Sequence, residues 1–215
     1  MKRALVFRGG WDGHQPVQTS DFIAAELRKR GMEVDLFNDQ ECLLQPGLEE
    51  KYDVIIPVWT MGSLIPGAEQ ALCKAVKSGV GIAGWHGGMC DAFRQNTEYQ
   101  FMTGGQWVAH PGNIRDYTVE ITSDDPIVAG IDKTFPMHSE QYYMHVDPSN
   151  EVLAVTRYDD SICPWIKGTV MPVVWKRHYG KGKVFFCSLG HTLDDFLNTP
   201  QSAEITVRGI LWAAR

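Results

Sequence analysis

Short apolar runs alternate with segments of helical periodicity through the N-terminal part of the sequence. The apolar runs, at residues 4–7, 33–37, 53–59 and 80–84, have the length and composition of buried strands. Helices between them are predicted to begin at Pro16 and Pro66 and to stop at Gly31 and Gly79. Because strand–helix–strand units place their strands in parallel, the alternation predicts a parallel sheet with helices on both faces.

The C-terminal part is less regular and richer in strand patterns. Strands are predicted at residues 117–122 and 151–157, a β-hairpin at residues 172–187, and a final amphipathic helix at residues 203–214. Pro57 is expected near the end of its strand, because proline cannot donate to a sheet ladder. No linker, repeat or low-complexity stretch is evident, so one domain over residues 1–215 is predicted.

The charge and the cysteine content argue against several functional classes. The formal net charge of −6 disfavours binding to a nucleic-acid backbone, which requires clustered lysine and arginine. The five cysteines form no Cys-x-x-Cys pair, and their odd number argues against a disulfide framework and a cysteine zinc knuckle. No apolar run has the length of a signal-peptide core or a membrane span. We therefore expect a cytoplasmic protein with neither a nucleic acid nor a membrane as partner.

The sequence GWHGG at residues 84–88 predicts a sharp turn between a buried strand and a helix. It has the Gly-x-nucleophile-x-Gly layout of a nucleophile elbow, in which small neighbours let one side chain stand on a strained backbone. Here the central residue is His86, whose imidazole can be a base, an acid or a metal ligand. A glycine-rich turn that only packs is the alternative. An active-site position is favoured, because ligands of open α/β sheets bind at the carboxyl ends of strands.

Two further histidines follow predicted strands of the same sheet. His14 lies in a glycine-rich loop after the first strand, and His191 comes just after the strand at residues 183–187. Both therefore belong at the same sheet edge as His86, although a surface position is equally open for His14. Asp194 and Asp195 are close enough to orient the His191 ring or to cap the next helix, and capping is expected of at least one.

Aromatic and polar residues in the predicted loops favour a carbohydrate ligand. The loop GGQWVAHP places Gln106 and His110 on either side of a tryptophan. Aromatic faces stack on sugar rings, and the candidates for this role are Trp11, Trp85, Trp107 and Tyr142. The alternative for each tryptophan is a place in the core or at its rim, where most tryptophans in a domain of this size lie.

The segment HSEQYYMH carries a carboxylate between two histidines. If the segment is a strand, His138, Glu140 and Tyr142 share one face, and His145 lies on the other. A single metal site that uses all of these residues is therefore not expected. Glu140 is retained as the candidate carboxylate of the active site.

Taken in order, these motifs resemble those of the ThuA-like (trehalose utilisation) proteins, a branch of the class I glutamine amidotransferase-like superfamily. The motifs are His14-x-Pro16 after a Gly-Gly turn, GWHGG, GGQWVAHP, SEQYY, PVVWKRHYGKGKVFF and LGH, and they span nearly the whole chain. The resemblance implies a flavodoxin-like three-layer α/β sandwich with a mostly parallel central sheet and an added hairpin. It also implies a role in the catabolism of trehalose, other disaccharides or keto-sugars.

The chain departs from the patterns of these relatives at two places. In true amidotransferases the elbow carries a catalytic cysteine, and a later strand-end histidine completes a triad. Here His86 stands in place of the cysteine and His191 falls at the position of the triad histidine, so glutamine hydrolysis is not expected. Several ThuA-like members carry Asp-Glu where this chain has Ser139-Glu140, which leaves a two-carboxylate site without support.

We predict a metal-assisted enzyme that acts on a carbohydrate as a hydrolase, lyase or isomerase. Imidazole and carboxylate groups are the usual non-thiolate ligands of zinc, and a catalytic zinc keeps one position open for water or substrate. The expected cofactor is a divalent metal, such as zinc, held by His86 and His191. The predicted catalytic residues are His86, Glu140 and His191. The predicted substrate-binding residues are Trp11, His14, Gln106, His110 and Tyr142.

Other interpretations stay open from the sequence. Cys90, four residues after His86, is a candidate nucleophile, although a buried structural thiol is the stronger alternative. The same cleft could belong to a non-catalytic sugar-binding or sensing module, but several titratable groups in one pocket modestly favour catalysis. A homo-oligomer is the default expectation for a small enzyme.

Overall fold

The computed structural model of the chain describes residues 1–159 and 161–215, which form eleven strands and seven helices. The strands are β1 Arg3–Gly10, β2 Glu33–Phe37, β3 Val54–Thr60, β4 Gly81–Trp85, β5 Gly105–Ala109, β6 Ile114–Ile121, β7 Thr134–Glu140, β8 Tyr143–Val146, β9 Glu151–Arg157, β10 Val170–Tyr179 and β11 Gly182–Cys187. The helices are α1 Pro16–Lys29, α2 Leu48–Lys51, α3 Ala68–Ser78, α4 His86–Cys90, α5 Thr97–Thr103, α6 Leu193–Asn198 and α7 Pro200–Ala213.

One nine-stranded sheet organises the fold, in the order β2-β1-β3-β4-β11-β10-β9-β6-β7. The first five strands of this order run in parallel, and the predicted α/β class is confirmed. Because parallel strands end at the same edge, the loops after β1, β3, β4 and β11 come together there. A separate two-stranded sheet pairs β5 with β8.

Helices cover both faces of the parallel strands. On one face α1 and α7 bury Ile23, Leu27, Ile205 and Ile210 against the sheet. On the other face α3 and α5 bury Leu72, Val76, Tyr99 and Met102. Alternate residues of β1 point to opposite layers, so Ala4 and Val6 belong to the first core and Leu5 and Phe7 to the second. The three layers follow from this double burial.

The predicted hairpin forms from β10 and β11, and it begins an antiparallel extension of the sheet. β10 pairs with β11 on one side and with β9 on the other, and β6 and β7 complete the extension. The antiparallel part therefore contains more than the hairpin. The strands predicted at residues 117–122 and 151–157 correspond to β6 and β9, which lengthen this part of the sheet. β6 buries alternate residues, whereas β9 buries four consecutive residues.

The expectation that Pro57 lies near the end of its strand is wrong. It lies in the middle of β3, opposite Phe7 of β1. The strand tolerates it because the ladder between β3 and β4 covers only Val54 and Ile55, so it ends before the proline. Pro57 thus marks the place where β3 and β4 separate, next to the turn that carries His86.

None of the helices in the described residues has the length and apolar character needed to cross a membrane.

Candidate active site

Three histidines meet at the carboxyl edge of the parallel strands. His14 ends the short 3-10 turn after β1, His86 follows β4 directly, and His191 follows β11. The ring centroids of His14 and His86 are 4.7 Å apart, and His191 lies 4.9 Å from His14 and 5.2 Å from His86. The structure thus brings together the histidines that the sequence analysis predicted at one edge of the sheet. The sequence left open whether His14 lies in the cleft or on the surface, and in the structure His14 is buried.

The turn at residues 84–88 is as sharp as its sequence predicts. His86 has a φ of 45°, in the left-handed region that non-glycine residues rarely adopt. A Cβ atom on Gly87 would come within 2.4 Å of the His14 ring, and one on Gly88 would come within 3.0 Å of the Val58 backbone. The two glycines therefore allow β1, β3 and β4 to bring their loops into contact.

Glu140 joins the three histidines from the last residue of β7. Its Oε2 atom lies 3.1 Å from His86 Nε2, 3.3 Å from His191 Nδ1 and 3.6 Å from His14 Nε2. The candidate ligand atoms of the four side chains all lie within 4.8 Å of one another. We call these four residues, His14, His86, Glu140 and His191, the His–Glu cluster.

The protonation of His86 follows from its hydrogen bonds. Its Nδ1 atom lies 2.7 Å from the Ser188 carbonyl oxygen, which can only accept, so Nδ1 carries the proton and donates it. Burial lowers the pKa of His86 from 6.5 to about 3, and the ring is therefore neutral. Its Nε2 atom presents a lone pair towards Glu140.

Glu140 is a carboxylate inside this cluster. Burial raises the pKa of Glu140, but the close imidazoles of His14, His191 and His86 together hold it well below its usual range. A carboxylate oxygen thus faces the lone pair of a neutral imidazole at 3.1 Å. Two acceptors at this distance need a cation or a shared proton between them. Three imidazoles and one carboxylate are donors suited to a divalent transition metal.

Neighbouring side chains hold the cluster in place. The Nδ1 atom of His14 lies 2.8 Å from the Thr60 hydroxyl at the end of β3. Asp195 accepts hydrogen bonds from the Ser139 hydroxyl and from the His191 backbone N–H. Asp195 therefore links the end of β7, next to Glu140, to the loop that carries His191.

An aromatic group lies against one side of the cluster. The Tyr142 ring stacks on His86 with centroids 4.0 Å apart, and Trp107 and His110 pack beside it. His110 Nε2 is 3.6 Å from the second oxygen of Glu140. The hydroxyl of Tyr142, Nε1 of Trp107 and Nδ1 of His110 are buried and have no hydrogen-bond partner among the described residues. These atoms are available to a bound ligand.

Solvent-exposed groups and a cavity border the cluster. The edge of Trp11, which is half exposed, contacts His14 at a centroid distance of 4.8 Å. A cavity of about 350 Å³ lies against His191, and its lining includes Ile114, His138 and Asp194. Its volume is within the usual range for a small-molecule site. Among the cluster residues His191 is the most exposed, so a ligand in this cavity would reach it first.

Several sequence-predicted positions lie elsewhere. Gln106 lines a different pocket with His145, because neighbouring residues of β5 face opposite sides and Trp107 takes the side towards the cluster. Trp85 is buried against Phe196 and cannot stack on a sugar. The predicted stacking of Trp85 on a sugar is therefore wrong, whereas a substrate contact of Gln106, away from the cluster, stays a prediction.

The shared face predicted for His138, Glu140 and Tyr142 does not extend to Tyr142, because β7 ends at Glu140. His138 and Glu140 are two residues apart in this strand, but only Glu140 is buried in the cluster. His138 is exposed and pairs with Asp116. The capping expected of one aspartate is not observed, because the N-cap residue of α6 is Thr192 and no side chain caps it. Asp195, in the first turn of α6, instead accepts from the His191 N–H just before the helix.

Cys90 lies in the apolar core under the turn. It is 1% exposed, and burial raises the pKa of its thiol well above its ordinary value of 9.0. A thiol in this environment is a poor nucleophile, since the thiolate is the reactive form. The alternative of a buried structural thiol is the one that the structure supports.

Sequence reasoning missed two groups that fix the cluster. Thr60 is the last residue of β3, and its hydroxyl contacts His14. A search for polar residues at the carboxyl ends of the parallel strands, which identified His14 and His86, would have identified Thr60 as well. Ser188 acts through its main-chain carbonyl, a group present in every residue type. No signal in the side-chain pattern indicates that role.

A family model described as trehalose utilisation, ThuA, matches residues 3–213. No curated protein matches the chain. A ThuA-like protein from Bacteroides uniformis ATCC 8492 is 18% identical with a TM-score of 0.78, covering 99% of this chain and 91% of that one. A cytoplasmic protein from Salmonella typhimurium LT2 is 14% identical with a TM-score of 0.70, covering 99% and 100%. A β-galactosidase from Bacillus circulans sp. alkalophilus is 16% identical with a TM-score of 0.62, covering 99% and 30%. At these identities the similar structures define the fold alone.

Proposed function

The chain belongs to the ThuA (trehalose utilisation) family, and from this premise we propose that it is a metal-dependent enzyme of carbohydrate catabolism with the His–Glu cluster as its active site. The substrate class is a disaccharide or a keto-sugar. The reaction is a hydrolysis, an elimination or an isomerisation without a covalent enzyme intermediate.

One observation carries the metal part of the proposal. The Nε2 lone pair of neutral His86 faces the Glu140 carboxylate at 3.1 Å, with two more imidazoles beside them. The nearest donor candidate is His191 Nδ1, which lies 3.3 Å from both acceptors and can satisfy only one of them fully, whereas a divalent cation among these atoms satisfies all of them. The buried Nδ1 contact with Ser188 resembles the outer hydrogen bonds that fix metal-binding histidines in one tautomer.

The residues around the cluster supply the remaining chemistry. A bound divalent metal polarises a carbonyl or hydroxyl of the substrate. His110 lies outside the cluster, is partly exposed and is 3.6 Å from Glu140, so it is our candidate for moving a proton. Tyr142 and Trp107 offer unpartnered polar atoms for substrate hydroxyls, and Trp11 offers a half-exposed aromatic face.

The family description and the site support the carbohydrate part. The description of the family is trehalose utilisation. Aromatic rings next to unpartnered hydrogen-bonding atoms suit a ligand with apolar ring faces and many hydroxyls. The cavity beside His191 gives such a ligand a place next to the cluster. We propose the cytoplasm as the place of action, since similar proteins from Salmonella are named cytoplasmic and the cysteines are unpaired.

Metal analysis of untagged protein purified without chelator tests the proposal. We expect about one divalent metal ion per chain. The variants His86→Asn and His191→Asn should lose it, because each removes a ligand. His178→Asn is the matched control, since His178 is exposed on β10, outside the cluster. Less than roughly a tenth of an equivalent in the wild type would contradict the metal-dependent function.

Turnover separates an enzyme from a sugar-binding module. The metal-loaded protein is incubated with trehalose, other disaccharides and their 3-keto derivatives, and products are identified by mass spectrometry. We expect product from at least one substrate, and we expect His110→Asn to lose turnover while it keeps its metal. Saturable binding without any product would favour the non-catalytic module instead.

A further inference from the structure

The His–Glu cluster offers one more ligand than a catalytic zinc site uses. Catalytic zinc commonly takes three protein ligands and keeps the fourth tetrahedral position for water or substrate. Here the candidate ligand atoms are His14 Nε2, His86 Nε2, His191 Nδ1 and a Glu140 oxygen. If all of them bind, a tetrahedral metal has no position left for a substrate.

All four side chains of the cluster lie close enough to share one metal ion, so none of them is placed as a separate acid or base. Three histidine nitrogens lie at 3.1, 3.3 and 3.6 Å from the same Glu140 oxygen. The far nitrogens of His14 and His86 are engaged by Thr60 and Ser188, which leaves their Nε2 atoms for the cluster. The backbone of His191 is held by Asp195. His14 and His86 are thus fixed by their surroundings as metal-binding histidines usually are, whereas His191 is held through its backbone.

We propose that the cluster binds a divalent ion that prefers six ligands, of the Mn²⁺, Fe²⁺ or Co²⁺ class, through all four side chains. This inference rests on the proposed function and names its metal and substrate class. A six-coordinate ion held by four protein ligands keeps two positions for other ligands. Imidazole nitrogen and carboxylate oxygen are also ligands of such ions, and geometry and ligand number set the selectivity among metals. The zinc expected from the sequence is thereby replaced by an ion of higher coordination number.

The two remaining positions define the substrate class. A substrate that fills both must present two oxygens in a chelating arrangement, as a vicinal diol or a hydroxy-ketone does. The Tyr142 hydroxyl and Trp107 Nε1 are buried without partners next to the cluster, and they are suited to hydrogen-bond with the atoms of that group. A sugar ring presents such oxygen pairs, and a lone alcohol or a simple acetal does not.

Cobalt spectroscopy of the full chain tests the coordination number without any assay of activity. The protein is stripped with a chelator and titrated with Co²⁺. Four-coordinate cobalt absorbs strongly in the visible range, whereas six-coordinate cobalt absorbs weakly. We expect saturable binding with weak absorption. Saturable binding with strong absorption would overturn the six-coordinate proposal but leave a metal site in place, whereas no binding at all would overturn the proposed function as well.

Single variants test the ligand set. His14→Asn, His86→Asn, His191→Asn and Glu140→Gln should each weaken Co²⁺ binding at least about tenfold, the scale of loss around metal sites. His138→Asn is the control, because His138 borders the neighbouring cavity but not the cluster. Circular dichroism verifies that each variant is folded. A folded variant of any cluster residue that binds Co²⁺ as tightly as the wild type would overturn the four-ligand set.

Acetohydroxamate, which binds metals through two oxygens, probes the substrate positions of the cobalt-loaded wild type. We expect a saturable change in the visible spectrum, with acetate at the same concentration giving a much smaller one. Tyr142→Phe should weaken the hydroxamate response while leaving Co²⁺ affinity unchanged. An unchanged spectrum with hydroxamate would overturn the two open positions.

Discussion

His86 shows how the backbone, the hydrogen bonds and the burial of one residue combine into a chemical property. The left-handed turn holds His86 at the carboxyl edge of the sheet, and the Ser188 carbonyl fixes the proton on Nδ1. Burial then keeps the ring neutral by lowering its pKa to about 3. Without burial the ring of His86 would be solvated, and at low pH it would be protonated. Together the turn, the hydrogen bond and the burial give a directed lone pair.

This pKa predicts how stability depends on pH in the metal-free protein. The unfolded chain binds a proton on His86 below about pH 6.5, whereas the folded chain binds it only near pH 3. Between these values the unfolded state holds more protons, so acidification favours unfolding. We expect the free energy of unfolding to fall on acidification, by at most roughly 1 kcal/mol per pH unit from this residue.

Urea unfolding in the presence of a chelator, at pH values from 7 to about 4, measures the slope. Glu140 changes stability in the same direction, since its pKa is also lowered in the fold. The variant His86→Gln should show a shallower dependence than the wild type. A stability that stays constant or rises on acidification would contradict the neutral state assigned to His86.

At the scale of elements, the site depends on where strands end and on what joins those ends. Parallel pairing brings the loops after β1, β4 and β11 together, so three histidines from distant parts of the sequence reach one edge. β7 is different, because it lies at the far end of the nine-stranded order. Asp195 at the start of α6 connects the two regions through Ser139 and the His191 N–H.

The connection through Asp195 predicts a stability effect. Asp195→Ala leaves the buried Ser139 hydroxyl and the His191 N–H without their acceptor. We expect a loss of about 1–3 kcal/mol in the free energy of unfolding and a weaker metal site. Asp194→Ala, an exposed change in the same turn, should stay within about 0.5 kcal/mol of the wild type. Equal effects of the two substitutions in urea unfolding would refute the role given to Asp195.

At the scale of the molecule, the His–Glu cluster ties the parallel and antiparallel parts of the sheet together. Glu140 comes from the last strand of the sheet order, whereas His14, His86 and His191 follow strands of the parallel half. For these four residues to be in contact, the end of the sheet that contains β7 must bend towards the carboxyl edge of the parallel strands. A ligand bound to the cluster therefore stabilises the packing of the antiparallel part of the sheet against the parallel part.

Metal binding should consequently raise the thermal stability of the whole chain. At 100 times the dissociation constant a metal that binds only the folded state adds about 2.7 kcal/mol. For a chain of this size, that corresponds to a rise of about 5–10 °C in the unfolding temperature. Calorimetry with and without chelator measures the shift. His191→Asn should abolish it and His178→Asn should retain it; an equal shift in both variants would place the metal elsewhere.

The sequence by itself determined the parallel half of the sheet, the elbow at residues 84–88 and the common edge of three histidines. These features depend on periodicity and on glycine positions within a few residues, together with the rule that parallel strands share an edge. The sequence also singled out Glu140 as the candidate carboxylate of the active site, although the strand face predicted to carry it ends before Tyr142. It could not show that the side chains of Gln106 and Trp85 lie away from the cluster, since both stand in aromatic motifs like those that do reach it.

Only the tertiary structure decided that Glu140 meets His86, because 54 residues and several strands separate them along the chain. Strand patterns reveal which residues alternate, but they contain no information on the order in which antiparallel strands pair or on how the sheet curls. The tautomer of His86 was likewise decided by a main-chain carbonyl brought from β11's end. The chemical groups of the site could therefore be predicted from the sequence, whereas their assembly into a four-residue cluster depended on long-range packing.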